Sequence, residues 1–211
     1  WTIQAAAERQ RKRAGGVQAA FLITWIGPST SIIQQQISSA TTYGEAVGLS
    51  KNQPNILADV SRIIVDTSLS NDEAFAKLDP IRRAAEAEGW VDQGFGGDDI
   101  PRTLEDVPRL WLRRFSYDPT PFLRDLGDLP YLAVFGAKDP IVPVSENVQA
   151  LESIGSDVRV VVLKESGHGY DFDERVETLP SGREFRMFEG PDTGFTTETI
   201  TFLRERGFLT R

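Results

Sequence analysis

Three short apolar runs, each followed by glycine, constrain this chain more than any other feature. Val17 to Ile26 (VQAAFLITWI) is nearly continuous and ends at Gly27-Pro28; Tyr131 to Phe135 (YLAVF) ends at Gly136; Val158 to Leu163 (VRVVVL) ends shortly before Gly167. Runs without apolar–polar alternation predict strands buried on both faces, the kind found in parallel sheets covered by helices. Between the second and third runs, the stretch from Ser145 to Ile154 sets Val148, Leu151 and Ile154 on one side of a helix. Strand, helix, strand at this length predicts a βαβ crossover, almost always right-handed. Two more helices bracket the set. Trp1 to Arg13 carries Ile3, Ala6 and Ala7 as an apolar stripe, with Arg9, Arg11, Lys12 and Arg13 crowding its last turn and Gly15-Gly16 as its stop. Thr196 to Arg206 carries Ile200, Phe202 and Leu203. The predicted class is α/β.

The stretch between the first two strands has a different character. Ile56, Leu57, Val60, Ile63 and Ile64 recur at helical spacing, Ser70 with Glu73 makes a capping box, and Gly89 marks a helix stop. A third helix is predicted over Leu104 to Phe115, after a glycine- and aspartate-rich loop from Gly94 to Asp99. The predicted organisation is therefore a core of residues 1–28 and 129–211, interrupted by a helical insertion over 29–128.

Composition removes several function classes. There is no cysteine, so disulfides, thiolate metal sites and a cysteine nucleophile are excluded, and one histidine excludes multi-histidine metal sites. The net charge of −8 argues against a nucleic-acid or anionic-membrane surface, since phosphate binding needs clustered cations. No apolar run approaches the length of a bilayer span, and no basic-then-apolar signal segment opens the sequence. No cofactor, metal, nucleic acid or membrane is expected, and the compartment is left open.

Two short pieces can carry chemistry. Phe135-Gly136-Ala137-Lys138-Asp139-Pro140 follows the second run, and Glu165-Ser166-Gly167-His168-Gly169-Tyr170 follows the third. Ligands of open parallel α/β sheets bind beyond the carboxyl ends of the strands, where both pieces fall. Singly, an Asp before Pro reads as a turn former and a lone histidine as a surface or core residue. Together, 29 residues apart with one βα unit between them, they read as an acid and a base. A carboxylate on the neighbouring strand end, about 4.8 Å away, can fix the tautomer of an imidazole that takes a proton from a nucleophile. Glu165 and Asp171 lie nearer His168 in sequence, but a neighbour in the same loop is poorly placed to meet the ring. Pro140 biases Asp139 to extended backbone, and glycines beside His168 permit backbone angles closed to other residues.

The segment LPYLAVFGAKDPIVPVSENVQAL, with VRVVVLKESGHGY after it, resembles the C-terminal part of α/β-hydrolases, in particular dienelactone-hydrolase and prolyl-oligopeptidase-like serine esterases. Gly136, Asp139, Val142 and Pro143 match that family's G-x-x-D-x-x-V-P context, and Gly167-His168-Gly169 its histidine loop. The resemblance implies the C-terminal half of a parallel-sheet hydrolase fold with a helical cap, Asp139 as the acid and His168 as the base. It also implies a small-molecule ester or other acyl substrate. The family's nucleophile sits in G-x-S-x-G, which this sequence lacks; Ser29 comes closest, with Gly27 before it but Ser31 after. The sole methionine is Met187, so Trp1 is read as no translation start. The serine is then expected upstream of Trp1, in an N-terminal half that pairs with the strand at Ala19 to Thr24 and without which these residues are inactive. The same acid–histidine pair also serves hydrolases with an aspartate nucleophile, such as dehalogenases and epoxide hydrolases, as well as prolyl-oligopeptidase-like peptidases. A non-catalytic binding module that keeps the scaffold is a further alternative. Trp25, Trp90, Trp111, Phe115 and Tyr117 are aromatic enough to line an acyl pocket but read as core.

Overall fold

The computed structural model describes residues 1–13, 18–50, 52–94, 100–154, 157–168, 174–178, 184–188 and 193–210. The helices are α1 (Thr2–Arg11), α2 (Ile32–Ala46), α3 (Gln53–Val65), α4 (Asn71–Ala87), α5 (Val91–Gly94), α6 (Thr120–Arg124), α7 (Val144–Glu152) and α8 (Thr193–Glu205). The strands are β1 (Leu22–Trp25), β2 (Tyr131–Gly136), β3 (Val158–Leu163), β4 (Glu174–Thr178) and β5 (Glu184–Phe188). The chain divides into two compact units, one of Trp1–Ser29 with Pro119–Arg211 and one of Thr30–Asp118.

The first unit is α/β. Its three parallel strands stand in the order β1-β2-β3, with Leu22 opposite Tyr131 and Tyr131 opposite Val158. β4 and β5 form a separate antiparallel pair, in a stretch for which the sequence suggested no element. Two-sided burial, expected of all three runs, holds only for β2, every residue of which is buried. β1 alternates buried with half-buried residues, and β3 is half-buried throughout apart from exposed Val162. Position in the sheet decides this, because among the described residues an end strand has a neighbour on one side only.

Helices cover both faces. On one, Trp25 packs against Phe195 of α8 with ring centroids 5.4 Å apart and donates its indole N–H to Thr199 Oγ1 at 3.0 Å. Arg159, the polar interruption in the third run, reaches the same helix, pairing with Glu198 at 2.7 Å and Glu205 at 2.8 Å. On the other face, α1 buries Gln4 and Ala7, leaving Ile3 and Ala6 of the expected apolar stripe exposed. Gln4 is drawn inward by a polar chain. Its Nε2 donates to the Tyr131 hydroxyl at 3.3 Å and to the Pro28 carbonyl at 3.2 Å, and Thr24 Oγ1 lies 2.9 Å from the same hydroxyl. Ser29 also bonds that hydroxyl, and its backbone N–H donates to Asn147 Oδ1 of α7 at 2.5 Å. All five side chains are buried.

The helical unit is narrower than expected at both ends, losing Ser29 at the first and residues 119–128 at the second. Phe122, Leu123 and Leu126 pack into the core around the sheet, so residues 119–128 belong to the first unit. The expected stop at Gly15-Gly16 lies outside the described residues, as does the glycine-rich loop beyond Gly94.

In the second unit, Leu57, Val60 and Ile64 of α3 share a core with Leu78 and Ala85 of α4 and with Trp90 and Ile100. The capping box is present, with Ser70 N–H donating to Glu73 Oε2 at 2.8 Å and Glu73 N–H to Ser70 Oγ at 3.2 Å. α2 went unread, because its serines, threonines and glutamines mask the helical period; Ser31 caps it, accepting from Gln34 N–H at 3.1 Å. The helix expected over Leu104 to Phe115 is instead two 3₁₀ turns, Leu104–Arg109 and Trp111–Arg113. Pro108 accounts for the change, since it lacks the N–H that an α-helix needs and crowds the preceding turn. Arg113 then gathers the carbonyls of Ile64, Asp66 and Leu69 at the C-terminal end of α3, where a cation complements the helix dipole. Among the described residues no helix is long and apolar enough to cross a membrane.

Burial raises the pKa of the Tyr131 hydroxyl, opposed by the bonds from Thr24, Gln4 and Ser29. A group whose pKa rises on folding contributes stability below its unfolded value, about 10, and that contribution is lost as pH climbs through the folded value. Tyr131→Phe should therefore cost about 1–3 kcal/mol at neutral pH, by leaving buried partners unmatched, yet shrink the alkaline loss. Urea unfolding at neutral pH and above about pH 10 checks this; equal alkaline losses in parent and variant would refute it.

Candidate active site

Asp139 follows the last residue of β2 by three positions, and His168 follows that of β3 by five. Because the strands are adjacent and parallel, both residues leave the sheet at its carboxyl edge. The side chains meet there: His168 Nδ1 lies 2.9 Å from Asp139 Oδ2 and 3.1 Å from Oδ1. Asp139 Oδ1 also accepts the backbone N–H groups of Ile141 at 2.7 Å and Val142 at 2.9 Å. The carboxylate is fully buried whereas the imidazole is 39% exposed. An ionised carboxylate offers only acceptors, so Nδ1 carries a proton, and in the neutral ring this tautomer leaves the lone pair on Nε2. Among the described residues, the hydrogen bonds of His168 run to Asp139 alone. The ring is thus held from behind by a buried anion, with the nitrogen that can accept a proton facing away from it.

The two loops are tied along their backbones. Ala137 N–H donates to the Leu163 carbonyl at 2.8 Å, continuing the β2–β3 ladder, and Lys138 N–H donates to the Ser166 carbonyl at 2.9 Å. Above them Lys138 Nζ meets Glu165 Oε2 at 2.5 Å. The hydrogen bond from Lys138, and then its charge, hold the Glu165 carboxyl below the usual glutamate range. Glu165 therefore serves Lys138 and leaves His168 to Asp139. Asp171, Gly169 and Tyr170 lie outside the described residues. The conformational freedom expected of Gly167 is not used, for it is not among the glycines with positive φ.

Ser29, the nearest approach to a nucleophile motif, is buried and bonded to the Tyr131 hydroxyl and the Gly27 carbonyl, so it acts in the core. Trp25 and Trp90 are packed in the two cores, as read, while Trp111 and Phe115 are exposed in the second unit and Tyr117 is half-buried. Sequence reasoning missed Asn147, whose buried amide spans Ser29 N–H and, at 2.9 Å, the Pro143 carbonyl. Its one signal was a polar residue at helical spacing between Val144 and Leu151, in the turn after Val142-Pro143. Among the described residues no group of three His, Asp or Glu side chains is placed to hold a metal ion. No protein-family model, curated protein or solved structure matches the chain.

The geometry separates two roles of Asp139. Asp139→Asn keeps an oxygen for Ile141 and Val142 N–H but turns an amide N–H toward the ring, which forces the other imidazole tautomer. Asp139→Ala strips both backbone donors of their acceptor and should cost about 1–3 kcal/mol more than the asparagine variant. Thermal melts of the two variants decide it, and equal losses would mean that the carboxylate does not hold its own turn.

Proposed function

We propose that Asp139 and His168 are the acid and the base of a hydrolase of carboxylic esters or related acyl bonds, built on the C-terminal half of an α/β-hydrolase fold. One observation carries the proposal: a buried carboxylate on one strand end grips Nδ1 of a half-exposed imidazole on the next. A general base needs one ring nitrogen held and the other accessible, and here the acid is buried while the ring stays partly exposed. In the reaction Nε2 takes the proton of the attacking hydroxyl while Asp139 stabilises the imidazolium, and the ring then passes the proton to the leaving alkoxide. The parallel sheet order and the helical unit between β1 and β2 fit the same reading, in which residues 30–118 are the cap.

The nucleophile in this reading is a serine outside these residues, on a strand–turn–helix elbow that enters beside β1, together with at least one amide of the oxyanion hole. β1 pairs with β2 and, among the described residues, with no other strand.

The proposal is tested by turnover of 4-nitrophenyl acetate and longer acyl esters by the polypeptide as the cell makes it. His168→Ala should lower kcat about 10²-fold or more without loss of the cooperative melt. Asp139→Asn should lower kcat by more than it raises KM, through the wrong tautomer. Ester turnover by His168→Ala at the parent rate removes the histidine from the mechanism, and a parent inert toward every ester removes the activity itself.

A further inference from the structure

We infer that Gly136 is a positioning residue for His168, because the loop that carries the base can sit where it does only if the end of β2 has no side chain. A Cβ on Gly136 would lie 2.5 Å from the Ser166 carbonyl oxygen and 2.7 Å from its carbon, with the Gly167 carbonyl oxygen closer still. These are backbone atoms at less than van der Waals contact, so no rotamer change relieves them. Ser166 is fully buried and its carbonyl is also the acceptor of Lys138 N–H, so the loop has nowhere to retreat without breaking that bond. His168 lies two residues beyond Ser166, and Asp139 three beyond Gly136. A Cβ on Gly136 therefore pushes the base away from the acid at the point where the two loops are stapled. Gly167, by contrast, has a negative or extended φ, and among the described residues a Cβ there meets nothing nearer than the Lys138 carbonyl oxygen at 3.8 Å. The absent side chain matters at Gly136 and not at the glycine next to the histidine.

As it bears on turnover, the inference rests on the acid–base reading of the pair, but its test does not. His168 is the only histidine, so ring ¹⁵N resonances of histidine-labelled protein belong to it without assignment. The parent and Gly167→Ala should both show the Nδ1–H tautomer with a slowly exchanging, downfield ring proton, and both should melt alike. Gly136→Ala should lose that ring proton to exchange and drift to mixed tautomers, while still melting cooperatively. Ring signals in Gly136→Ala identical to the parent would overturn the inference. So would an equal change in Gly167→Ala, since loop composition would then matter rather than the carbonyl slot. Loss of the cooperative melt in Gly136→Ala alone would overturn it too, because the glycine would then be holding the sheet rather than the base. In a parent that hydrolyses esters, kcat should fall with the ring signal and KM should stay. In a parent that hydrolyses none, the hydrolase reading fails while the ring spectra still decide Gly136.

Discussion

Parallel pairing of β2 with β3, in the register that sets Gly136 opposite Leu163, fixes where the rest of the first unit's chemistry can lie. Parallel strands leave a sheet at the same edge, so the loops that follow them are neighbours without any further instruction from sequence. Here the ladder runs past the strands proper, through Ala137 N–H to the Leu163 carbonyl and Lys138 N–H to the Ser166 carbonyl. Those bonds convert two loops into one backbone surface. The exposed Lys138–Glu165 pair above it adds little by comparison, since solvent screens exposed ion pairs. Backbone, not surface charge, sets the distance from Asp139 to His168.

That distance matters because Asp139 is buried. An ionised carboxylate without partners in the interior costs several kcal/mol, and three N–H groups meet it here: Ile141, Val142 and the imidazole. Two of the three come from its own turn, so the anion is largely satisfied before the ring arrives. The imidazole then meets a pre-formed acceptor and spends little of its own freedom in docking. The arrangement is asymmetric, with a rigid acid and a ring that remains partly in solvent, which is the asymmetry that proton transfer at Nε2 requires.

Much of this was legible in sequence, and the reasons differ from element to element. The apolar runs located the strands, and strand order placed Asp139 and His168 at one edge, because parallel topology is nearly implied by apolar runs separated by helices. What the runs could not tell was which strand lies in the middle, so VRVVVL read as buried when β3 is half-exposed. A glycine beside a catalytic candidate invites a local explanation, and Gly167 received one. The demand for a missing side chain falls instead on Gly136, through atoms 30 residues later in the chain. No local pattern encodes a steric limit set by a distant carbonyl. α1 misled for a similar reason: Ile3 and Ala6 look like an inward face until Gln4 finds Tyr131 across the sheet. Pro108 was in plain view and sufficed to break the expected helix into 3₁₀ turns.

The buried polar chain and the exit of β1 are linked by one strained residue. Ile26 has φ of +56°, a left-handed conformation that costs a β-branched residue about 1–2 kcal/mol. It survives because both sides of it are tied. Before it the sheet is continuous, with Ile26 N–H donating to the Val134 carbonyl at 2.8 Å; after it, Gln4 holds the Pro28 carbonyl and Asn147 holds Ser29 N–H. Each of these hydrogen bonds adds only about 0.5–1.5 kcal/mol net, yet losing any one strands a buried group at about 1–3 kcal/mol. Such a chain does less to raise total stability than to forbid alternatives. An apolar replacement of the same volume would pack as well and leave β1 free to end in ordinary extended backbone. With Gln4, Tyr131, Thr24, Ser29 and Asn147 in place, the chain must turn at Ile26, at the same sheet edge where β2 delivers Asp139, before it passes into the helical unit at Thr30.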